Sequence, residues 1–274
     1  MRIDAHQHYW RIGRGDYGWI TPEITELYRD YQEEDLLPHL KKHKIDQTIT
    51  VQAAPTIAET EYLLKLSEES STIAGVVGWV DLEEEDYRQQ LDRLRQHPKF
   101  IGIRVMIQDM PDATIIETEP YLEAFAYLEK LDIPVDLLVR SDQLTSLIKV
   151  LDQVKLRGVI DHISKPNIAK GEQEPWINQM TTIASHPNIY CKISGMVTEA
   201  EHKNWETEQF RPYVQHIIDV FGANRVMYGS DWPVCLLSAS YDEVYQLVVD
   251  TLPNELEKDG IFGGNACEFY KIGE

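Results

Sequence analysis

Eight short apolar, β-branched runs recur along the 274 residues, each separated from the next by a longer segment of helical period. The runs are RIDAHQH (2–8), QTITVQA (47–53), GVVGWVD (75–81), IGIRVM (101–106), IPVDLLV (133–139), RGVIDH (157–162), NIYCKIS (188–194) and RVMYGSD (225–231). Between them lie stretches such as TEYLLKLSEES, YRQQLDRLRQH, YLEAFAYLEKL and LTSLIKVLDQV, with leucines or aromatics at spacings of three and four. Strands alternating with amphipathic helices build βαβ units and a parallel sheet. Eight such units in a chain of this length predict an α/β protein, a single (β/α)₈ barrel spanning residues 1–274. A doubly wound open sheet is the weaker fit, because no Gly-rich dinucleotide fingerprint follows the first run.

In such a barrel the C-terminal strand ends ring one mouth, and ionisable residues sit on those ends. His6 and His8 close the first run, and residues two apart on a strand share a face. Their imidazoles therefore converge on one small volume, suited to a metal ion, to a polarised carbonyl, or to neither. Arg104 lies in the fourth run, Asp136 in the fifth, Asp161 and His162 end the sixth, Lys192 is in the seventh, and Asp231 ends the eighth. Unpaired charges are costly to bury, so these groups are either mutually satisfied or functional. Arg104 has a plain structural alternative as the partner of Asp136 or Asp161, and Lys192 could face the helix layer. Lys165 and Pro166 read as loop residues, Glu199 and Trp205 as residues of a covering loop, and Cys191 as core filler. Two connections are long, from Tyr9 to about Asp30 and from Gly195 to about Phe210, and both follow C-terminal strand ends.

A formal net charge of −20 argues against nucleic acid and against an anionic membrane surface. Three cysteines without a CxxC pair suit a reduced compartment. With no signal-like segment or long apolar stretch, a cytoplasmic protein acting on a small-molecule substrate is expected, with homo-oligomerisation left open.

Taken together, DAHQHYW, GWVDL, GIRVMIQ, DHISKP, KISGMVTEA and YGSDWPV resemble the amidohydrolase superfamily over nearly the whole chain. The resemblance is narrower to the amidohydrolase-2 branch, which includes sugar lactonases such as L-fuconolactone and L-rhamnonolactone hydrolases and is related to 2-pyrone-4,6-dicarboxylate lactonase. It implies that His6, His8 and Asp231 can hold one divalent metal ion, zinc or manganese, and that Asp231 acts as general base while His162 assists. The chain departs from metal-rich members: Arg104 stands where a bridging lysine or carboxylate would be, and the fifth run has no histidine. A binuclear centre is therefore not expected, and both a mononuclear site and metal-free catalysis stay open.

The activity implied is opening of a small sugar-derived lactone by water, with His6 and His8 polarising the carbonyl. Arg104 and Lys192 are further candidates for substrate contact, and Trp10, Trp19 and Trp232 for stacking on the sugar. No GxSxG elbow suggests a covalent nucleophile. The alternative on the same barrel is a metal-dependent decarboxylase or hydratase of a small aromatic or enol acid.

Overall fold

In the computed structural model, which describes residues 1–253 and 258–273, all eight runs form strands of one parallel sheet in sequential order. They are β1 (Ile3–Gln7), β2 (Gln47–Val51), β3 (Ile73–Gly78), β4 (Phe100–Met106), β5 (Val135–Leu138), β6 (Gly158–Ile160), β7 (Ile189–Ile193) and β8 (Val226–Tyr228). A parallel bridge between Gln7 and Trp232 brings the last strand back against the first. Several strands stop short of the expected runs. His8, Gln52, the Asp161–His162 pair and the 229–231 segment lie just beyond strand ends, where polar side chains leave the ladder for the mouth.

The helical segments form the outer layer: α1 (Glu33–His43), α2 (Ile57–Glu69), α3 (Tyr87–Leu94), α4 (Glu119–Lys130), α5 (Leu144–Leu151), α6 (Trp176–Ala184), α7 (Thr207–Phe221) and α8 (Tyr241–Thr251). Their starts are written locally. Ser240 accepts from the Glu243 amide while the Glu243 carboxylate accepts from the Ser240 amide, a reciprocal cap that opens α8. Thr56 caps α2 in the same sense, and the buried Glu59 carboxylate of that helix accepts from the amides of Ala53 and Ala54. That carboxylate fixes the chain leaving β2, one wall of the mouth.

The core has two compartments. Between sheet and helices packs a large apolar shell. Inside the barrel, Ile3, Ala5, Ile49, Val51, Val77, Val159 and Met227 form a smaller cluster, closed by Ala266, Phe269 and Tyr270 of a last helix, α9 (Asn265–Tyr270). Apolar layers thus fill the bottom of the barrel, and the charged layer stands above them.

Candidate active site

Strand β1 would not present His6 to the interior if it alternated regularly. Ile3 and Ala5 point into the barrel, whereas Asp4 turns outward, accepting from Tyr241 Oη of α8 at 3.1 Å and from the Ser230 amide at 2.8 Å. The β1–β2 register shifts between Asp4 and Gln7. This irregularity puts His6 on the inner side beside Ala5, and His8 follows it; bulges re-aim side chains next to active sites in this way. Gly229 of the β8 end lets the two chains approach: a Cβ there would sit 2.6 Å from His6 Cβ.

Three imidazoles surround one carboxylate. Asp231 Oδ1 lies 3.3 Å from His8 Nε2, 3.7 Å from His6 Nε2 and 3.9 Å from His162 Nε2. All four residues are at most 3 % exposed. Asp231 holds a left-handed backbone (φ 56°), a conformation that acidic side chains tolerate better than most. Its amide donates to the His6 carbonyl at 2.8 Å, which locks the end of β8 to β1. His162 is set by Ser194, whose Oγ lies 2.8 Å from Nδ1. Gly195 leaves room for that ring: its φ is +58°, and a Cβ would meet His162 Nδ1 at 2.5 Å.

Burial pushes His162 down to about 4 and holds His6 well below the usual histidine range, although Asp161 draws His6 back upward. Burial alone would raise Asp231, but His162, His8 and His6 outweigh it, so the carboxyl lies below its usual range and is ionised at neutral pH. An ionised carboxylate facing the mouth can take a proton from water.

Beneath the histidines runs a buried ionic layer. Lys192 Nζ is 2.5 Å from Asp136 Oδ2, 3.2 Å from Asp161 Oδ1 and 3.2 Å from His6 Nδ1. Tyr270 Oη donates to Asp136 Oδ1 at 2.6 Å. Asp161 also lies 3.3 Å from His6 Nδ1 and 3.7 Å from Arg104 Nη1. Its carboxyl stays well below the usual range: burial raises it, and Lys192 and His6 overcome that. Asp161 was visible as a strand-end charge and a possible partner of Arg104; its place is the hub tying Lys192, Arg104 and His6 together.

The cavity above, about 300 Å³, is lined by His8, His162 and Asp231 together with Arg104, Trp19 and Lys165. Arg104 is 4 % exposed, donates to the carbonyl and side-chain oxygens of Gln52, and keeps a buried Nε without a partner. Trp19 stands 41 % exposed at the rim, its indole N–H held by the Ala53 carbonyl.

Three of the expected substrate contacts need correction. Lys192 is fully buried under His6 and pairs with Asp136 and Asp161, so it supports the site from below and does not line the cavity. Trp10 does not reach the cavity either: β1 has ended, the chain turns to bridge Tyr31, and the ring is buried with its N–H on the Arg29 carbonyl. Trp232 is buried as well, packed edge-on against Tyr9 and Tyr31. Large rings next to site residues are first claimed by the core.

His8 Nδ1 lies 2.8 Å from the Val51 carbonyl, which can only accept, so that nitrogen carries the hydrogen. In the neutral ring Nε2 then offers a lone pair towards Asp231 Oδ1, another acceptor, 3.3 Å away. Two facing acceptors call for a proton or a cation between them. His6 Nε2 is buried and without a hydrogen-bond partner beside the same oxygen. One ligand atom from each of His6, His8 and Asp231 lies within 4.8 Å of the others. Two imidazole nitrogens and a carboxylate, with the backbone acceptor orienting one ring, fit a single divalent ion with an open position.

The family follows from comparison with known proteins. A family model described as amidohydrolase matches residues 3–272. The chain belongs to the amidohydrolase family. An L-fucono-1,5-lactonase from Burkholderia ambifaria is 39% identical, across 99% of this chain and 96% of its own. A second L-fucono-1,5-lactonase, from Burkholderia multivorans, is 34% identical, across 100% and 97%. Among solved structures, an amidohydrolase from Burkholderia multivorans with bound zinc superposes with a TM-score of 0.94 at 33% identity, covering 99% of each chain. Among the described residues no helix is long and apolar enough to cross a membrane.

Proposed function

We propose that this amidohydrolase opens a small sugar-derived lactone by direct attack of water, and that L-fucono-1,5-lactone is the compound to test first. The observation that carries the reading is the buried ring of His6, His8 and His162 around Asp231 at the cavity floor, in a chain similar end to end to two proteins named for that activity.

Hydrolysis of a lactone needs an activated water, a stabilised carbonyl oxygen and a proton for the departing ring oxygen. Asp231 takes the proton from water as attack proceeds. His6, His8 and Asp231 would hold a divalent ion, which supplies Lewis-acid polarisation of the carbonyl when bound. Arg104 is fixed by Gln52 and Asp161 with an unpartnered Nε–H near the floor, a preorganised positive group for the charge that develops on oxygen. Trp19 at the rim offers an apolar face to the sugar ring while its N–H stays on Ala53. Asp161 and Lys192 keep His6 in place from below. The decarboxylase reading gains no comparable support, since the full-length relatives above 30% identity carry lactonase names.

The test is a panel of sugar 1,4- and 1,5-lactones followed by proton release at neutral pH, with small aromatic acids assayed for loss of carbon dioxide in parallel. Lactone turnover without decarboxylation is the expected result. Decarboxylation without lactone turnover would overturn the reading.

A further inference from the structure

The chain leaving β6 makes four consecutive residues in the left-handed region: His162 (φ 54°), Ile163 (φ 45°), Ser164 (φ 63°) and Lys165 (φ 50°). None is glycine, and a β-branched isoleucine is among them, so the turn is held against the intrinsic preference of each residue. The Lys165 amide donates to the His162 carbonyl at 2.8 Å, closing a turn that sets residues three apart side by side. Both His162 and Lys165 line the cavity. Strain of this kind persists where the surrounding structure over-determines it, typically at a site of function. The surroundings here are specific: Ile163, fully buried, accepts from the Trp176 indole at 2.8 Å, and Ser164 is fully buried. On the adjoining connection, after β7, Glu199 places Oε1 at 3.7 Å from Lys165 Nζ. Both side chains are about three-quarters buried, at 25% and 23% exposure.

The third requirement is a proton for the departing ring oxygen, and His162, another proton carrier in this cavity, is turned towards Asp231 with its Nδ1 at Ser194 Oγ. Asp231 receives a proton from water, and Arg104 cannot release one. Lys165 is a cavity-lining cation with a transferable proton, and a strained turn holds it there. We propose that Lys165 is the substrate-facing acid of the lactonase reaction, giving its proton to the ring oxygen as the acyl C–O bond breaks, with Glu199 as the residue that positions it.

The step balances. Water oxygen bonds to the carbonyl carbon and its proton passes to Asp231. The tetrahedral centre then collapses, the ring C–O bond breaks with its electron pair on oxygen, and a proton from Lys165 Nζ makes the hydroxyl. Lys165 regains a proton from solvent at the mouth, Asp231 returns one, and the new carboxylic acid ionises, leaving a hydroxy carboxylate and one proton overall. This proposal rests on the lactonase reading above.

The experiment compares two leaving groups. Sugar lactones expel an alkoxide, which needs a proton, whereas dihydrocoumarin expels a phenol with a pKa of about 10, which needs it far less. Lys165→Met and Lys165→Arg are assayed on L-fucono-1,5-lactone and on dihydrocoumarin beside the wild type, with thermal midpoints recorded. The expected result is a loss of about 100-fold or more in kcat on the sugar lactone for both variants, and only a few-fold on dihydrocoumarin. Arginine fails alongside methionine because it keeps the charge but not the transferable proton. Equal losses on both substrates, or an arginine variant at the wild-type rate, overturn the assignment. Should the strained turn not tolerate either variant, Glu199→Gln carries the same test from the adjoining connection; a loss confined to the sugar lactone is expected, and an unchanged rate overturns the proposal. A wild type inactive on every lactone overturns the reading beneath it, which separates the two failures.

Discussion

Asp231 has the most demanding position of any residue in the site, since three imidazoles converge on one of its oxygens. Asp231→Asn keeps the volume and the left-handed backbone but removes the proposed base. Turnover of a sugar lactone should fall by about 10²–10⁴-fold, the usual worth of a positioned general base, while the thermal midpoint moves little. If the variant retains more than a tenth of the wild-type rate, the base lies elsewhere. His8 makes a second, separate statement. Its Nδ1–H is committed to Val51, so only Nε2 is free to bind an ion. His8→Ala should therefore lower bound zinc, measured by elemental analysis after dialysis, even in protein that is fully folded. Unchanged metal content would remove His8 from the ligand set.

At the scale of elements, the site depends on small irregularities that bring strand ends together. Gly195→Ala would place a Cβ against the His162 ring at a positive φ. It should cost roughly 1–3 kcal/mol of stability through backbone strain and reduce lactone turnover; a fully active, equally stable alanine variant would show that His162 need not sit where it does. The helix layer offers a pH-dependent case. Asp242 of α8 accepts from Lys42 at 2.6 Å and lies 2.6 Å from His43 Nε2, both on α1. Burial is the largest single influence and raises its pKa, but the bonds from Lys42, His43 and His39 together prevail and hold it below the usual carboxylate range. A folded pKa below the unfolded one means stability present above pH 3.8 and lost as the pH falls through the folded value. Asp242→Asn should cost up to about 1 kcal/mol at pH 7, discounted for partial exposure. The gap to wild type should close in urea titrations below about pH 4. A gap that stays constant with pH would mean that the carboxylate charge contributes nothing.

Across the whole molecule, the eight-unit rhythm was legible because strand and helix have different apolar periods and the runs carry both. The carboxylate and the three histidines around it were legible for a related reason, that polar groups ending apolar strands in a barrel face one mouth. What could not be read was direction. The register shift in β1 decides that His6 turns inward while Asp4 turns towards Tyr241, and no period in RIDAHQH announces it. Trp10 and Trp232 adjoin site residues in the chain, yet their rings satisfy the apolar shell beside Tyr31. Lys192 was ambiguous between two faces of β7; its place on the inner face, against Asp136 and Asp161, appears only when all eight strands are closed. The first and seventh connections meet through Lys203, whose Nζ lies 2.8 Å from Glu26 Oε1.

In the proposed mechanism the buried carboxylate at the floor of the cavity drives water onto a sugar lactone. This step is tested most directly by measuring proton release from L-fucono-1,5-lactone at neutral pH, with wild type and Asp231→Asn side by side at equal concentration and equal metal content. Rapid, saturable hydrolysis by the wild type and a rate near the uncatalysed background for the variant are expected. Equal rates for the two proteins would contradict the mechanism.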